Sequence, residues 1–341
     1  MVAGREAAVT QWQRDQAVSH GSRRCDHMWI VRVRCMVGSR IGRAIISLAA
    51  LLNESSLWIP GVIAVSEKEL IEEAASIISR SRRLVAFSGA GVSEESGIPT
   101  FRDPGGLWDR FDPLELGGGD IFTSLFSGAS IPQAAVDFVA EMVAVLEKAQ
   151  PNPGHYALGE LEKMGILKSV ITQNIDNLHR EGGNTRVIEV HGNLFRLACM
   201  VCGTKLQLGR EELFAMGREL VALMMRGDLQ EIIKLVSRCP SCGGACRLDV
   251  VGFGEPVQDM GLAMGEARDS DALLILGTSG MVYPAAYIPE HAKKTGAKLI
   301  EINATGCYFP DLVDVGIVGK TGEILPPIVE RVKDFKSFNI F

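Results

Sequence analysis

Apolar runs of four to six residues recur along the chain at 83–88, 169–172, 187–190, 250–253, 272–276, 298–302 and 315–318. Each is short and mostly apolar, and polar residues gather at its carboxyl end. Such runs fit strands of a parallel sheet buried on both faces, with a ligand bound at the strands' carboxyl ends. Helical periods separate them. Leu70, Ile71, Ala74, Ile77 and Ile78 make one apolar face that stops at the arginines of 80–83. The stretch 132–150 turns Val136, Val139, Val143 and Leu146 inward, and 155–163 is a third helix opened by Asn152 and Pro153. The pattern predicts an α/β fold with a doubly wound, parallel, Rossmann-like sheet. Residues 198–247 interrupt it as a small inserted module, and 1–64 show no helical or alternating period. That N-terminal extension admits three readings: a disordered basic arm, a start codon placed too far upstream, or a targeting or anchoring segment.

Composition narrows the class. With 341 residues and 47% hydrophobic content, the chain can bury one large core, or one large and one small. The net charge of −6 argues against non-specific nucleic-acid binding. Residues 1–43 hold eight Arg and three acids, a net of +5 that leaves −11 on the remainder. The apolar run 44–52 is too short to span a bilayer and lies too far in for a signal peptide, so a cytoplasmic protein without membrane attachment is expected.

The eight cysteines stand at 25, 35, 199, 202, 239, 242, 246 and 307. Cys199, Cys202, Cys239 and Cys242 form two C-x-x-C pairs, the second within CPSCGG, as in tetrahedral thiolate ligation of zinc. Four thiolates leave no position for water, so the expected metal is one structural Zn2+. The 36 residues between the pairs exceed the usual spacer and read as two inserted helices, 211–225 and 228–236. Cys246 reads as a spectator thiol.

The most informative stretch follows the first strand: GAGVSEESGIPTFRDPGGLW, residues 89–108. Gly89, Ala90 and Gly91 let a backbone approach a phosphate closely, and Ser93 would open a helix with Glu94 and Glu95 in its first turn. The full G-x-G-x-x-G fingerprint is absent, because Glu94 stands at the third glycine position. On spacing alone a plain strand-to-helix turn and a dinucleotide site stand side by side. The continuation, with Pro99, Phe101, Arg102, two further glycines and Trp108, suggests a lid loop over 99–120. TQNID at 172–176 is either a polar Asx turn or part of the ligand site at a strand end. His191 closes another strand, and a neutral imidazole with an ordinary pKa near 6.5 can act as a base. His155, in a helix start, reads as packing, and His179 as a weaker candidate.

In order, residues 89–108, TQNID (172–176), HG (191–192), DVVGFGE (249–255) and GTS (277–279) resemble the signature of the sirtuins, the NAD-dependent protein deacylases. The resemblance spans about 65–333. It implies a Rossmann-like NAD-binding domain made of 65–197 and 248–337, with 198–247 as the zinc module. It implies NAD contacts from Gly89, Ala90, Gly91, Ser93 and Thr100, and from Phe101, Arg102 and Trp108 on the lid. Gln173, Asn174, Ile175 and Asp176 would orient the nicotinamide ribose and the attacking water. Gly277, Thr278 and Ser279, with Asn303, Ala304 and Thr305, would touch the ribose phosphate and adenosine half, and Thr321 the adenine. Val251 and Phe253 would hold the acyl-lysine, while Gly254 and Glu255 flank a substrate peptide that adds as an extended strand.

The implied activity is removal of acetyl or other neutral acyl groups from protein lysines. The acyl oxygen displaces nicotinamide at the ribose C1′, His191 is general base on a ribose hydroxyl, and acyl-ADP-ribose leaves. A protein mono-ADP-ribosyltransferase would use the same pocket, and no residue separates the two. Leu248 and Gly252 depart from the family pattern near the acyl-lysine. The Tyr-x-x-Arg pair of the branch that removes acidic acyl groups is replaced by Val139 and Met142, so neutral acyl groups are expected.

Overall fold

The computed structural model describes residues 65–100, 106–111, 131–235, 238–252 and 254–338, together with 35–37 and 40–42. Expectations for Phe101, Arg102, Phe253 and the side chain of Trp108 lie outside the described residues. So do those for most of the 99–120 loop and of 1–64. Within the N-terminal unit, β1 (Cys35–Val37) and β2 (Arg40–Gly42) pair antiparallel.

Beyond it, α1 (Glu67–Arg80) is started by a capping box: Ser66 Oγ accepts from the Glu69 amide, and the Glu69 carboxylate accepts from the Ser66 amide. Its Ala74, Ala75 and Ile78 are fully buried. The chain then enters β3 (Leu84–Ser88), every residue of which is buried. A short helix α2 (Leu107–Arg110) precedes α3 (Gln133–Lys148). Next comes α4 (Pro153–Lys163), where Asn152 Oδ1 accepts from the Gly154 amide and Pro153 fills the first helical position. After it run β4 (Leu167–Thr172), a single turn α5 (Leu178–Glu181) and β5 (Val187–Glu189). The inserted part carries β6 (Gly192–Cys199), β7 (Lys205–Gln207), α6 (Arg210–Arg226), α7 (Leu229–Leu235) and β8 (Cys246–Val250). The sheet resumes with α8 (Met260–Asp269), β9 (Ala272–Leu276), α9 (Tyr287–Lys294), β10 (Lys298–Asn303), β11 (Val315–Val318) and α10 (Thr321–Phe338).

The six-stranded sheet runs β11-β10-β9-β3-β4-β5, all parallel. This is the doubly wound order, and its reversal point falls between β3 and β9, where such sheets open a crevice for ligands. Uninterrupted apolar strands form because both faces are covered. One face packs Ala86, Leu274 and Ile300 against α1, α4 and α10, and the other packs Phe87, Leu273 and Ile275 against α8 and α9.

Two expectations about this architecture are corrected. The apolar run 250–253 is not a strand of the parallel sheet. The strand ends at Val250 and pairs antiparallel with β6, which itself pairs with β7. Nor does an α-helix follow the first strand. Ala90–Val92 and Glu94–Ser96 are two single 3-10 turns closed by Gly97 in the left-handed conformation (φ 85°). The Val92 carbonyl, which an α-helix would pair with a later amide, accepts instead from Asn152 Nδ2 at 2.7 Å. Among the described residues no helix is long and apolar enough to cross a membrane.

Candidate active site

The crevice at the switch point is built first from backbone. The Gly89 amide donates to the Leu276 carbonyl (3.0 Å), and the Gly91 amide donates to the Gly277 carbonyl (2.9 Å). A Cβ on Gly91 would lie 2.9 Å from Gly277 Cα, and one on Gly89 2.8 Å from Thr278 Cβ. The glycines are therefore required by the contact of the β3 and β9 turns with each other, a reason the sequence does not display. Ala90 sits between them at the start of the first 3-10 turn.

Across this turn lies the loop after β4. Ser93 is buried; its Oγ donates to Asp176 Oδ2 at 2.7 Å and accepts from Asn174 Nδ2 at 3.1 Å. The other Asp176 oxygen accepts from the Leu178 amide. Burial raises Asp176 above the ordinary carboxylate value, opposed by its bonds to Ser93 and Leu178. Ile175, half-buried between Asn174 and Asp176, uses its carbonyl to accept from the Leu194 amide. Gln173 ties three strands together: its amide donates to the Ser88 carbonyl, and its Nε2 to Thr278 Oγ1 at 2.9 Å.

His191 follows β5. Its Nδ1 lies 3.1 Å from the Gln173 carbonyl, which can only accept, so the neutral ring carries its hydrogen on Nδ1 and leaves the Nε2 lone pair free. Burial lowers its pKa below 6.5, partly countered by the Gln173 carbonyl. The next residue, Gly192, has φ 84°, and a Cβ there would sit 1.9 Å from the Asp249 carbonyl oxygen. Gly192→Ala is therefore expected to cost more than about 3 kcal/mol of stability and to displace His191. Denaturant unfolding of the purified variant measures this, and an unchanged midpoint would show that the turn accommodates a side chain.

The remaining candidates fall on neighbouring strand ends. Thr278 is buried and Ser279 half-buried. Asn303 Nδ2 donates to the Thr278 carbonyl and to Glu301 Oε1, linking β9 to β10, while Ala304 and Thr305 are exposed beyond it. Thr321 is buried at the start of α10, where the Gly322 amide donates to Glu95 Oε2 at 2.7 Å. Thr100 is buried, and its carbonyl accepts from the Leu107 amide. Midway along 99–120, Arg110 pairs with Glu141 of α3 at 2.6 Å and Phe111 packs edge-on against Phe138. On the other side of His191, the Val251 amide donates to the His191 carbonyl, Gly254 is exposed with φ 82°, and Glu255 accepts from Arg247 and the Gly252 amide.

The sequence reading passed over an ion network beneath the histidine. Buried Glu189 accepts from Arg180, Arg196 and Asn193 side chains, and Arg196 also reaches Asp249 at 2.6 Å. It joins the end of β5 to the β6–β8 ladder, and no motif marks it.

That ladder leads to the cysteines. The Sγ atoms of Cys199, Cys202, Cys239 and Cys242 lie within 4.8 Å of one another, three of the pairs at 3.4 to 3.6 Å. Tetrahedral ligation at a zinc–sulfur distance of about 2.3 Å needs edges of about 3.8 Å, so the four thiolates fit one ion. Val201 and Cys202 amides point at Cys199 Sγ, and Gly203 and Gly243 have φ near 70°, as tight knuckles require. Cys246, buried beside them, is outside this cluster. Arg210 locks α6 in place: its guanidinium donates to the Leu146, Glu147 and Ala149 carbonyls at the end of α3, pairs with Glu181 on α5, and lies over Phe195 and Phe214.

A doubly wound sheet with polar strand ends at its switch point, and a four-thiolate module joined through the loop that bears a single imidazole, defines the class. The Sir2 family profile matches residues 89–284, and the chain belongs to that family. An NAD-dependent protein deacylase of Desulfosudis oleivorans is 48% identical over 267 residues, covering 78% of this chain and 97% of the relative. A solved complex of a Sir2 homologue with NAD superposes with a TM-score of 0.62 at 34% identity, covering 77% of this chain and 94% of that one. A Sir2 protein bound to a myristoylated histone peptide gives 0.54 at 36% identity, with 80% and 99% covered.

Proposed function

We propose that this chain is an NAD-dependent protein-lysine deacylase, removing acetyl or other neutral acyl groups to give free lysine, nicotinamide and acyl-ADP-ribose. The observation that carries the reading is the free Nε2 of His191 beside the Ser93–Asn174–Asp176 network at the switch point. NAD supplies the electrophilic ribose carbon and the nicotinamide leaving group. His191 takes a proton from a ribose hydroxyl at Nε2, while Nδ1–H is held by the Gln173 carbonyl. Asn174 and Asp176 hold the ribose and the attacking water. Gly89 to Ser93, Gln173, Thr278, Ser279 and Asn303 line the cofactor, with Thr100, Ala304, Thr305 and Thr321 toward its ends. The acylated protein lies as an extended strand along Val251 to Glu255. The four thiolates hold zinc with no coordination position left for chemistry, so its contribution is structural.

Val139 and Met142 are packed among apolar side chains of α3, α6 and α7 and offer no cation to an acyl carboxylate. An acidic acyl group would be desolvated without a partner. Mass spectrometry of acyl-lysine peptides with and without NAD tests both points. The expected result is NAD-dependent deacetylation with acetyl-ADP-ribose formed, and a succinyl-lysine rate lower by at least about tenfold, equivalent to 1.4 kcal/mol. Nicotinamide release with the acetyl group retained would instead mark ADP-ribosyl transfer, and equal acetyl and succinyl rates would refute the acyl preference.

A further inference from the structure

Two buried histidines stand behind the site. His155 (α4) and His179 (α5) are fully enclosed, and their ring centroids lie 4.9 Å apart. His179 Nε2 is 2.8 Å from Ser88 Oγ, which bonds Thr172 Oγ1 at 2.8 Å, and Thr172 Oγ1 accepts from the Asn174 amide at 3.0 Å. On the other side, His155 Nδ1 accepts from the Asn152 amide. Asn152 Nδ2 donates to the Val92 carbonyl and to Ser96 Oγ, on the turns that carry Ser93, and Ser93 returns to Asn174. These links nearly close a ring around the loop holding Asn174 and Asp176. The gap falls between the two imidazoles, and the buried atoms lacking any partner there are His155 Nε2 and His179 Nδ1.

The chemistry of the gap is defined. An amide can only donate, so a neutral His155 carries its hydrogen on Nε2 and offers a donor. If Ser88 donates to Thr172, its oxygen accepts from His179 Nε2–H, which leaves His179 Nδ1 as an acceptor. One orphan is thus a donor and the other an acceptor. The reverse polarity would set two buried donors against each other, at the cost of an unsatisfied group.

We propose that His155 and His179, both neutral with hydrogen on Nε2, are joined directly or through one buried water, and that the closed ring positions Asn174 and Asp176 for the reaction. His179 and Ser88 are accordingly positioning residues: they touch neither substrate nor cofactor. Burial favours the neutral rings, lowering His155 well below 6.5 and His179 to about 4. The inference about catalysis rests on the deacylase reading, whereas the hydrogen positions do not.

Nitrogen-15 NMR of histidine-labelled protein at pH 7.5 reads the tautomers. Both rings should be neutral with hydrogen on Nε2; a hydrogen on His179 Nδ1, or a charged ring, overturns the ring. Kinetics test the positioning role. Ser88→Ala is expected to lower kcat about tenfold or more with KM for peptide changed less than about twofold, as displaced reacting groups do. His179→Leu should do the same, while His179→Gln, which keeps a donor toward Ser88, should recover to within about threefold of wild type. A Ser88→Ala enzyme within about twofold of wild-type kcat, or a His179→Gln enzyme as impaired as His179→Leu, would sink the proposal. Wild-type protein without NAD-dependent turnover would refute the deacylase reading instead, and the tautomer measurement would still judge the ring.

Discussion

Replacing His191 with Ala is expected to lower kcat by about a thousandfold, within the range that a positioned general base contributes. The residue lies at a strand end, half-buried, and its ring is held through Nδ1 by the Gln173 carbonyl, so the substitution removes a base and leaves little structure unsupported. Peptide affinity should change by less than about threefold, because the groups proposed to bind the peptide lie beyond it. Turnover within tenfold of wild type would strip His191 of its role. The pH profile supplies a second check. In the proposed reaction the neutral ring is the active form, and burial lowers its pKa. Activity should therefore fall with acidification through a midpoint below 6.5. An acid limb centred above 6.5 would point to another group.

Loss of the metal is expected to have the larger structural effect. Cys239→Ser removes a buried ligand from a four-thiolate set, and structural zinc in small modules stabilises the fold by about 10–16 kcal/mol. The consequence should reach the imidazole. β6 starts at Gly192, directly after His191, and ends at the ligand Cys199, and its partner β8 runs from Cys246 to Val250, next to the Val251 amide that bonds His191. A ladder spanned by five residues of β8, about 14 Å, thus has the thiolates at one end and the proposed base at the other. Zinc content by atomic absorption, thermal melts and kcat, measured together after chelation or in Cys239→Ser, should all fall. Full activity in metal-free protein would show that the ladder holds without its clasp.

Why some of this was legible in the sequence follows from burial. β3 and β9 are enclosed on both faces, so their sequences are almost pure apolar runs and mark themselves. β6 alternates buried and half-buried positions and includes Asn193 and Arg196, which serve the ion network, so GNLFRLAC does not read as a strand. The run 250–253 misled for the opposite reason: Val250 and Val251 look like a buried parallel strand, but the strand is Cys246–Val250, paired antiparallel with β6. The candidate chemistry was visible as motifs, because Asn174, Asp176 and His191 stand at strand ends in a recognisable order. The histidine ring was not. It depends on the β3–β4 register, which places Ser88 opposite Thr172, and register leaves no trace in spacing.

The close approach of the β3 and β9 turns has a consequence for how the protein comes into being. Leu84 pairs with Ala272, and the amides of Gly89 and Gly91 find their acceptors only at Leu276 and Gly277. During synthesis the glycine turn leaves the ribosome long before its partner exists. Pairings so distant in sequence form slowly, because the loop must close before contacts compensate for it. A nascent chain ending before β9 therefore carries the glycine turn with half a crevice. In the proposed reaction NAD would then report on completed folding, binding only once the β3 and β9 turns have met.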